Sequence, residues 1–323
     1  MKHYLITGGA GFIGSNLVRE LLKNNEKVTV WDNLYTGRIN NIKDLLTNTN
    51  FNFVNVDITN DPDQIGFEKN DIWFADKYDQ TFDYIVNLAC VASPDKYQKN
   101  PVHTMMTCVL GMKNMLDIAT QLNIPILQAS TSEVYGDPKE TPQSEEYRGN
   151  TSCIGPRSCY DVGKMAAESL CFDYHRKHGT QVKVIRIFNT YGPYMARDDG
   201  RVVSNFITQI LAGKSLTIYG DGQQTRSLCY IDDLIRGLML MLHSPKEITG
   251  PFNIGNDTEK TILEIAEIVI SLSGKEGVIE FKHLPTDDPT NRCPNLEKIG
   301  RTFGWKPIIS LEEGLKKTFD YFK

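Results

Sequence analysis

The chain has 323 residues, 40% of them hydrophobic and 23% charged, with a formal net charge of −5. That length buries a sizeable core in one large domain or two smaller ones. The acidic balance and the lack of any Lys/Arg block argue against a nucleic-acid binder, and no stretch approaches the roughly 20 apolar residues of a membrane span.

The first residues, Met1-Lys-His-Tyr-Leu-Ile-Thr7, run straight into a glycine loop, so no signal peptide is expected. The seven cysteines form no CxxC pair and no metal-like spacing with His, which predicts reduced thiols, a cytoplasmic setting and no metal. Cys159 has no activating His in reach of the pattern and is not expected to be a nucleophile.

Residues 3–7 form a β-rich run, followed by Gly8-Gly-Ala-Gly11-Phe-Ile-Gly14, a helical pattern from Ser15 to Lys23, and a strand Val28–Trp31 ending in Asp32-Asn33. Strand, glycine turn, helix, strand and acid, with the acid roughly 20 residues beyond the glycines, is a dinucleotide-binding arrangement. Gly8 permits the tight turn, Gly11 lets the backbone approach a pyrophosphate, and Gly14 permits close helix–strand packing. The helix N-terminus faces the anion. Asp32 accepts ribose hydroxyls and disfavours a 2′-phosphate, so NAD is expected over NADP, although Arg38 on the next loop suits a 2′-phosphate or an adenine face equally well. A third strand, Phe51–Val56, leads to Asp57-Ile58, where an adenine amino group is read. Phe12, Ile13, Asn33, Thr36, Gly37, Leu88, Ala89 and Thr107 complete the residues expected against the cofactor.

Residues Pro62–Gln80 read as helix plus irregular loop, and Phe82–Ala89 as the next strand. Pro101 opens a long helix to about Gln121 whose stripe (Met105, Val109, Met112, Leu116, Ala119) belongs to the core or to a subunit interface. After the apolar run Ile124–Leu127, Thr131, Ser132 and Glu133 place two hydroxyls and a carboxylate at consecutive positions. Downstream, Tyr160 and Lys164 sit four residues apart on a helix through His178, one turn apart on one face. A Lys beside a Tyr stabilises the phenolate, so the phenol acts as a base below its reference pKa of about 10. A further strand, Val182–Ile187, completes strands alternating with helices. This pattern predicts an α/β fold with a doubly wound, mostly parallel sheet, binding its ligands outside the carboxyl ends of the strands.

Beyond Asn189 the texture changes. A loop 190–200 precedes helices at Val202–Leu211, Asp232–Leu242 and Thr261–Ser271, with strands at Leu216–Tyr219 and Pro251–Ile254 and two helices after Leu296 and Leu311. Arg201, Arg226 and Arg292 stand in loop settings. Each is ordinary as a surface residue; beside Gly/Asp turns they also suit a diphosphate or carboxylate clamp.

The glycine loop, the Thr131-Ser-Glu133 strand end and Tyr160-x-x-x-Lys164 together resemble the extended short-chain dehydrogenase/reductases that modify nucleotide sugars. Ala129–Pro138, Ile154–Asp161, Arg186–Pro193 and Asp199–Phe206 are most similar to the UDP-glucuronate decarboxylases of that family, and Asp287-Asp-Pro289 with Arg292 continues the likeness. The resemblance implies a Rossmann sheet with a smaller C-terminal α/β substrate domain. Residues 1–188 and 227–256 would bind NAD; 189–226 and 257–323 would bind the nucleotide sugar.

It also implies an enzyme that oxidises C4 of UDP-glucuronate with bound NAD, loses CO₂ from the 4-keto sugar and reduces the product to UDP-xylose. Tyr160 would take the O4 proton, Thr131 polarise O4, Lys164 hold Tyr160 and the nicotinamide ribose, and Ser132 and Glu133 flank C5. Arg292 would be proton donor or carboxylate partner. Asn189, Arg201, Tyr219, Gln224 and Arg226 would hold the UDP. A homodimer through a four-helix bundle would be formed by the helices around 105–121 and 160–177, with Met112, Leu116, Ala166, Leu170 and Tyr174 as the seam.

Three alternatives stay open on this fold: a sugar 4,6-dehydratase or 4-epimerase, an oxidative decarboxylase releasing the keto sugar, and an idle NAD-binding scaffold. Position 132 favours decarboxylation over dehydration, because expelling a C6 hydroxyl needs a general acid and Ser is a poor one. The chain departs from the decarboxylase pattern at Met106, where Lys is usual, at Cys90-Val91, where Ser-Pro is usual, and in the longer 62–80 segment.

Overall fold

The computed structural model describes residues 1–61, 82–283 and 292–323. The readings at Pro62–Gln80 and Asp287-Asp-Pro289 lie outside them. Seven strands form one sheet in the order Phe252–Ile254, β6 (Val182–Ile187), β5 (Ile126–Thr131), β4 (Tyr84–Asn87), β1 (His3–Thr7), β2 (Lys27–Asp32) and β3 (Phe51–Asn55). β1 pairs in parallel with both neighbours, Ile6 opposite Val30 of β2 and Val86 of β4. All five residues of β1 are buried, as expected of a parallel strand covered on both faces and rich in apolar side chains.

The chain divides into two compact units. Unit 1 comprises 1–130, 153–185 and 238–251; unit 2 comprises 131–152, 186–237 and 252–323. The sequence places 131–152, 186–188, 227–237 and 252–256 with the cofactor domain; in the structure all four segments cluster with unit 2. For the first segment the bonds are explicit: Gln143 exchanges main-chain hydrogen bonds with Cys293 and Asn295, and the Tyr135 hydroxyl donates to Asn253 at 2.7 Å.

In unit 1 the core gathers Leu5, Ile85, Met112, Met115, Leu116, Ile126, Val182 and Val184. The helix from Pro101 is not continuous: Pro101–Met106 and Met112–Leu122 are joined by a π-helical turn, Thr107–Gly111. Met112 and Leu116 are fully buried in this core, which corrects their expected place at a subunit seam: Met112 opens the second helical piece and turns inward with Met115 and Leu116. The exposed large apolar residues of these helices and of the helix Ser158–His178 are Val102, Met106 and Met165.

The helix Ser158–His178 ends at Gly179 in the left-handed conformation, with His175, Arg176, Lys177 and His178 in its last turn. There the charges of Arg176 and Lys177 complement the helix dipole. Unit 2 carries the helices Val202–Leu211, Ile262–Ser273, Glu297–Phe303 and Leu311–Phe322. Small strand pairs brace them: Leu216–Tyr219 runs parallel to Ile279–Lys282, and Thr225–Ser227 antiparallel to Glu259–Thr261. Thr190–Tyr191, read as loop, pairs with Cys229–Tyr230. Among the described residues no helix is long and apolar enough to cross a membrane.

Candidate active site

In unit 1, β1 ends at Thr7 and the chain turns at Gly8, whose φ of +71° suits glycine. A Cβ there would lie 2.8 Å from the backbone of Leu88 and Ala89, and one on Gly14 would lie 2.3 Å from the Gly8 carbonyl oxygen. The cradle therefore accepts only glycine at both points. The helix Phe12–Lys23 follows, and its N-cap, Gly11, makes no side-chain capping bond. Phe12 and Ile13 are half-buried at its first turn.

Asp32 closes the far side of this cradle. Its carboxylate accepts the Ala10 N–H at 2.9 Å and the Leu34 N–H at 2.8 Å. Burial pushes its carboxyl above the usual value, partly offset by these two bonds. Gly37 backs onto the same carboxylate, where a Cβ would sit 2.6 Å from Oδ1. Thr36 and Arg38 flank it half-buried, and the Arg38 N–H donates to the Ala10 carbonyl.

Asn33 donates to Asp57 at 2.7 Å, and Thr59 donates to the same carboxylate from both N–H and hydroxyl. Burial would raise the Asp57 carboxyl, but the bonds from Thr59 and Asn33 and the nearby His103 outweigh it and hold it below the usual range. Ile58 turns its side chain into the core, against Gly111. Leu88 and Ala89 follow β4 half-buried, the Leu88 N–H donating to the Thr7 carbonyl, and the Thr107 hydroxyl bonds to the His103 carbonyl.

Tyr160 lies in the first turn of Ser158–His178, buried, its ring stacked on Tyr97 at 5.2 Å between centroids and 3° between planes. Lys164, one turn on, is also buried. Its Nζ donates to the Ala129 carbonyl at 2.8 Å and lies 5.8 Å from the Tyr160 ring centroid. The helical spacing sets the ammonium near the Tyr160 ring. Tyr97 was invisible to the sequence reading, since neither periodicity nor motif links positions 97 and 160.

In unit 2, Thr131 caps the 3₁₀ turn Ser132–Tyr135, its hydroxyl accepting the Glu133 N–H at 3.2 Å. Arg292 grips this turn. Its two terminal nitrogens stand 2.9 Å from the two Glu133 carboxylate oxygens, and they also donate to the Ser132 hydroxyl at 3.2 Å and the Gly136 carbonyl at 3.1 Å. Arg292 is 4% exposed, and its Nε has no hydrogen-bond partner among the described residues. Gly136 (φ +63°) is required here, because a Cβ would meet the Asn150 carbonyl oxygen at 2.1 Å.

Three of the six expected catalytic residues, Ser132, Glu133 and Arg292, thus form one bonded cluster across 159 residues of sequence. Gln224 donates to the Tyr219 carbonyl at 2.6 Å, and the Asn189 carbonyl accepts the Cys229 N–H. Arg201 pairs with Asp199 through two nitrogens. Arg226 donates to the Thr225 carbonyl and lines a cleft of about 1020 Å³ with Leu228, Lys260, Pro294 and Trp305.

A parallel sheet with a glycine-turn cradle, an acid at the end of β2 and a buried Tyr–Lys pair defines the class of dinucleotide-dependent enzymes that move a proton and a hydride together. The chain belongs to the NAD dependent epimerase/dehydratase family, whose model matches residues 4–255. It is 44% identical over 322 residues to UDP-glucuronic acid decarboxylase 1 of Xenopus tropicalis, covering all of this chain and 72% of that protein. It is 47% identical over 312 residues to UDP-glucuronic acid decarboxylase 5 of Arabidopsis thaliana, covering 96% and 86%.

Among solved structures, it is similar to UDP-glucuronic acid 4-epimerase from Bacillus cereus in complex with UDP-glucuronic acid and NAD, with a TM-score of 0.85, 30% identity and coverage of 99% and 98%. UDP-glucose 4-epimerase from Thermotoga maritima, with UDP-glucose, matches with a TM-score of 0.86 at 28% identity and coverage of 99% and 98%.

Proposed function

We propose that this chain is an NAD-dependent UDP-glucuronate decarboxylase that makes UDP-xylose and returns its hydride within each turnover. The observation that carries the reading is the Arg292 fork on Glu133 and Ser132, and identity of 44–47% to decarboxylases over at least 96% of this chain supports it.

The residues of unit 1 fit NAD. The glycine cradle leaves no room for a Cβ where a pyrophosphate approaches, and each Asp32 oxygen, though it accepts one backbone N–H, keeps a lone pair for a ribose hydroxyl. Gly8, Gly11, Phe12, Ile13 and Gly14 would hold the pyrophosphate, Asp32, Asn33, Thr36, Gly37 and Arg38 the adenosine ribose, Asp57 and Ile58 the adenine, and Leu88, Ala89, Thr107, Tyr160 and Lys164 the nicotinamide end. When bound, NAD supplies a reversible hydride acceptor at C4 of the sugar.

The chain's own residues handle the protons. Lys164, pinned to the Ala129 carbonyl, holds positive charge beside Tyr160 and favours its phenolate, which takes the O4 proton. Stacking on Tyr97 fixes the ring that carries it. The Thr131 hydroxyl hydrogen bonds O4 as its charge changes. With C4 a ketone, the C5 carboxylate is a β-keto acid, and it leaves as CO₂ while the electrons delocalise into the carbonyl. Arg292 neutralises Glu133, so the leaving carboxylate does not face an uncompensated charge. Ser132 and Glu133 then flank C5 while it is reprotonated. Asn189, Arg201, Tyr219, Gln224 and Arg226 of unit 2 would hold the UDP, leaving the NAD to unit 1.

We further propose a cytoplasmic homodimer through a four-helix bundle. The exposed Val102, Met106 and Met165 supply apolar surface on the helices concerned, and seven free thiols suit a reducing compartment. Light scattering at micromolar concentration tests the dimer, and a monomer would overturn it.

The 4-epimerase reading is favoured by the fold match to a structure holding UDP-glucuronic acid and NAD, at lower identity than the decarboxylases. Incubation with UDP-glucuronate and NAD⁺ separates the two. A product lighter by CO₂ is expected, and an isomer of unchanged mass would overturn decarboxylation.

A further inference from the structure

The reaction leaves unused two thiols of unit 1 that touch. Cys90 follows Ala89 beyond the end of β4, and Cys108 is the second residue of the π-helical turn Thr107–Gly111. Their sulfurs lie 3.2 Å apart. Cys108 is buried and Cys90 is half-buried, and Cys90 packs on the cluster of Val91, Tyr97 and Tyr160. Space for Cys108 is kept by Gly163 on the facing helix, where a Cβ would lie 3.0 Å from the Cys108 Cβ and 3.2 Å from its sulfur.

We propose that Cys90 and Cys108 are a peroxide-responsive dithiol that closes to an intramolecular disulfide beside the Tyr160–Lys164 pair.

Three features point the same way. The sulfurs need to approach by only about 1.1 Å to reach the bonded distance of about 2.05 Å. One of them sits in a π turn, a local irregularity in the helical ladder that is frequent at functional sites. The Cys108 thiol and the Lys164 ammonium hold the Cys90 thiol below its ordinary value, whereas Cys108 is pushed up by the same pairing and by burial. Cys90, half-buried and the more easily deprotonated of the two, is thus the thiol that meets the oxidant, and Cys108 the resolving thiol.

The chemistry balances with hydrogen peroxide as oxidant. The Cys90 thiol gives up its proton and its thiolate attacks one peroxide oxygen; the O–O bond breaks, and the departing hydroxide takes up that proton and leaves as water, giving Cys90 sulfenic acid. The Cys108 sulfur attacks the Cys90 sulfur, the S–S bond forms as the S–O bond breaks, and the second hydroxide leaves with the Cys108 proton. Two thiols lose two electrons and one peroxide becomes two waters. The closed bond ties the end of β4 to the π turn, displacing Ala89 and Thr107 and the packing under Tyr160. That loss of turnover rests on the function proposed above; the disulfide itself does not.

The test treats the full-length protein with hydrogen peroxide, alkylates remaining thiols and maps tryptic peptides by mass. Cleavage after Lys96, Lys99 and Lys113 separates the two cysteines. The expected result is a crosslink joining them, two hydrogens lighter than the separate peptides and cleaved by dithiothreitol. Cys108→Ala is expected to stop at a Cys90 sulfenic acid that dimedone traps. In the unsubstituted protein, turnover is expected to fall with the crosslink and recover with dithiothreitol. The proposal is overturned if both thiols stay alkylatable at peroxide levels that oxidise the exposed Cys153, or if Cys90 pairs with Cys159. A crosslink with unchanged turnover overturns the regulatory consequence. Because the crosslink is read by mass, a protein without decarboxylase activity would still answer the first question.

Discussion

Replacing Arg292 with Met keeps most of the side chain's apolar stem and removes its charge. Four contacts go with it: both Glu133 oxygens, the Ser132 hydroxyl and the Gly136 carbonyl. Glu133 is then a carboxylate with 19% side-chain exposure and without its guanidinium. Breaking a buried pair by removing one partner costs about 3–5 kcal/mol, because the other charge is left uncompensated. With Glu133 partly open to water, the lower end applies, about 3 kcal/mol. Glu133→Gln added to Arg292→Met removes the charge that has lost its guanidinium and should restore roughly 1–2 kcal/mol of that loss, a coupling of the size expected for residues in direct contact. Urea unfolding of the wild type, both single variants and the double variant closes the cycle. A double variant less stable than Arg292→Met by the full cost of Glu133→Gln would refute the pairing. CO₂ release should be lost in all three variants.

Tyr160→Phe should lower turnover by about 10²–10⁴-fold with NAD binding and folding unchanged, since the ring keeps its stack on Tyr97; normal activity would sink the proposed base. Gly8→Ala forces a Cβ to 2.8 Å from backbone at a φ of +71°, so thermal melting should show a loss of about 1–3 kcal/mol, with weaker NAD binding by calorimetry. Asp32→Ser removes the charge that disfavours a 2′-phosphate, so the NAD-to-NADP affinity ratio should fall; an unchanged ratio would show that Asp32 does not select the cofactor. Asp57 titrates lower in the fold than in the free chain, so its stabilisation is full above the unfolded value near 3.9 and disappears as pH falls through the folded value. Asn33→Ala should shrink that acid-side loss in pH-dependent unfolding.

Much of the fold was legible because its signals are local. β1 at 3–7, β6 at 182–187 and the helix 202–211 fall on their expected bounds, since apolar runs and 3.6-residue periodicity are written within each segment. What escaped is non-local. The two-residue strands Thr190–Tyr191 and Cys229–Tyr230 are too short to carry a period, and the π turn inside 101–122 adds its extra backbone residue without breaking the apolar stripe. That stripe was read as core or interface, and only packing shows Met112 and Leu116 to be core. In the site, Tyr160 and Lys164 announce themselves by spacing. The Arg292–Glu133 fork does not, because a bond across 159 residues leaves no trace in composition or period. The family resemblance named Arg292, and the geometry supplied its partners. The Cys90–Cys108 contact was hidden for the same reason: eighteen residues apart, the thiols meet only because β4 ends beside the π turn.

The most direct measurement is a single incubation of the purified chain with UDP-glucuronate and NAD⁺, following CO₂, NADH absorbance and nucleotide-sugar mass together. The account predicts CO₂ release, a product with the mass of UDP-xylose and no net NADH. CO₂ with accumulating NADH would contradict the returned hydride, and an isomer of UDP-glucuronate without CO₂ would contradict the decarboxylase itself.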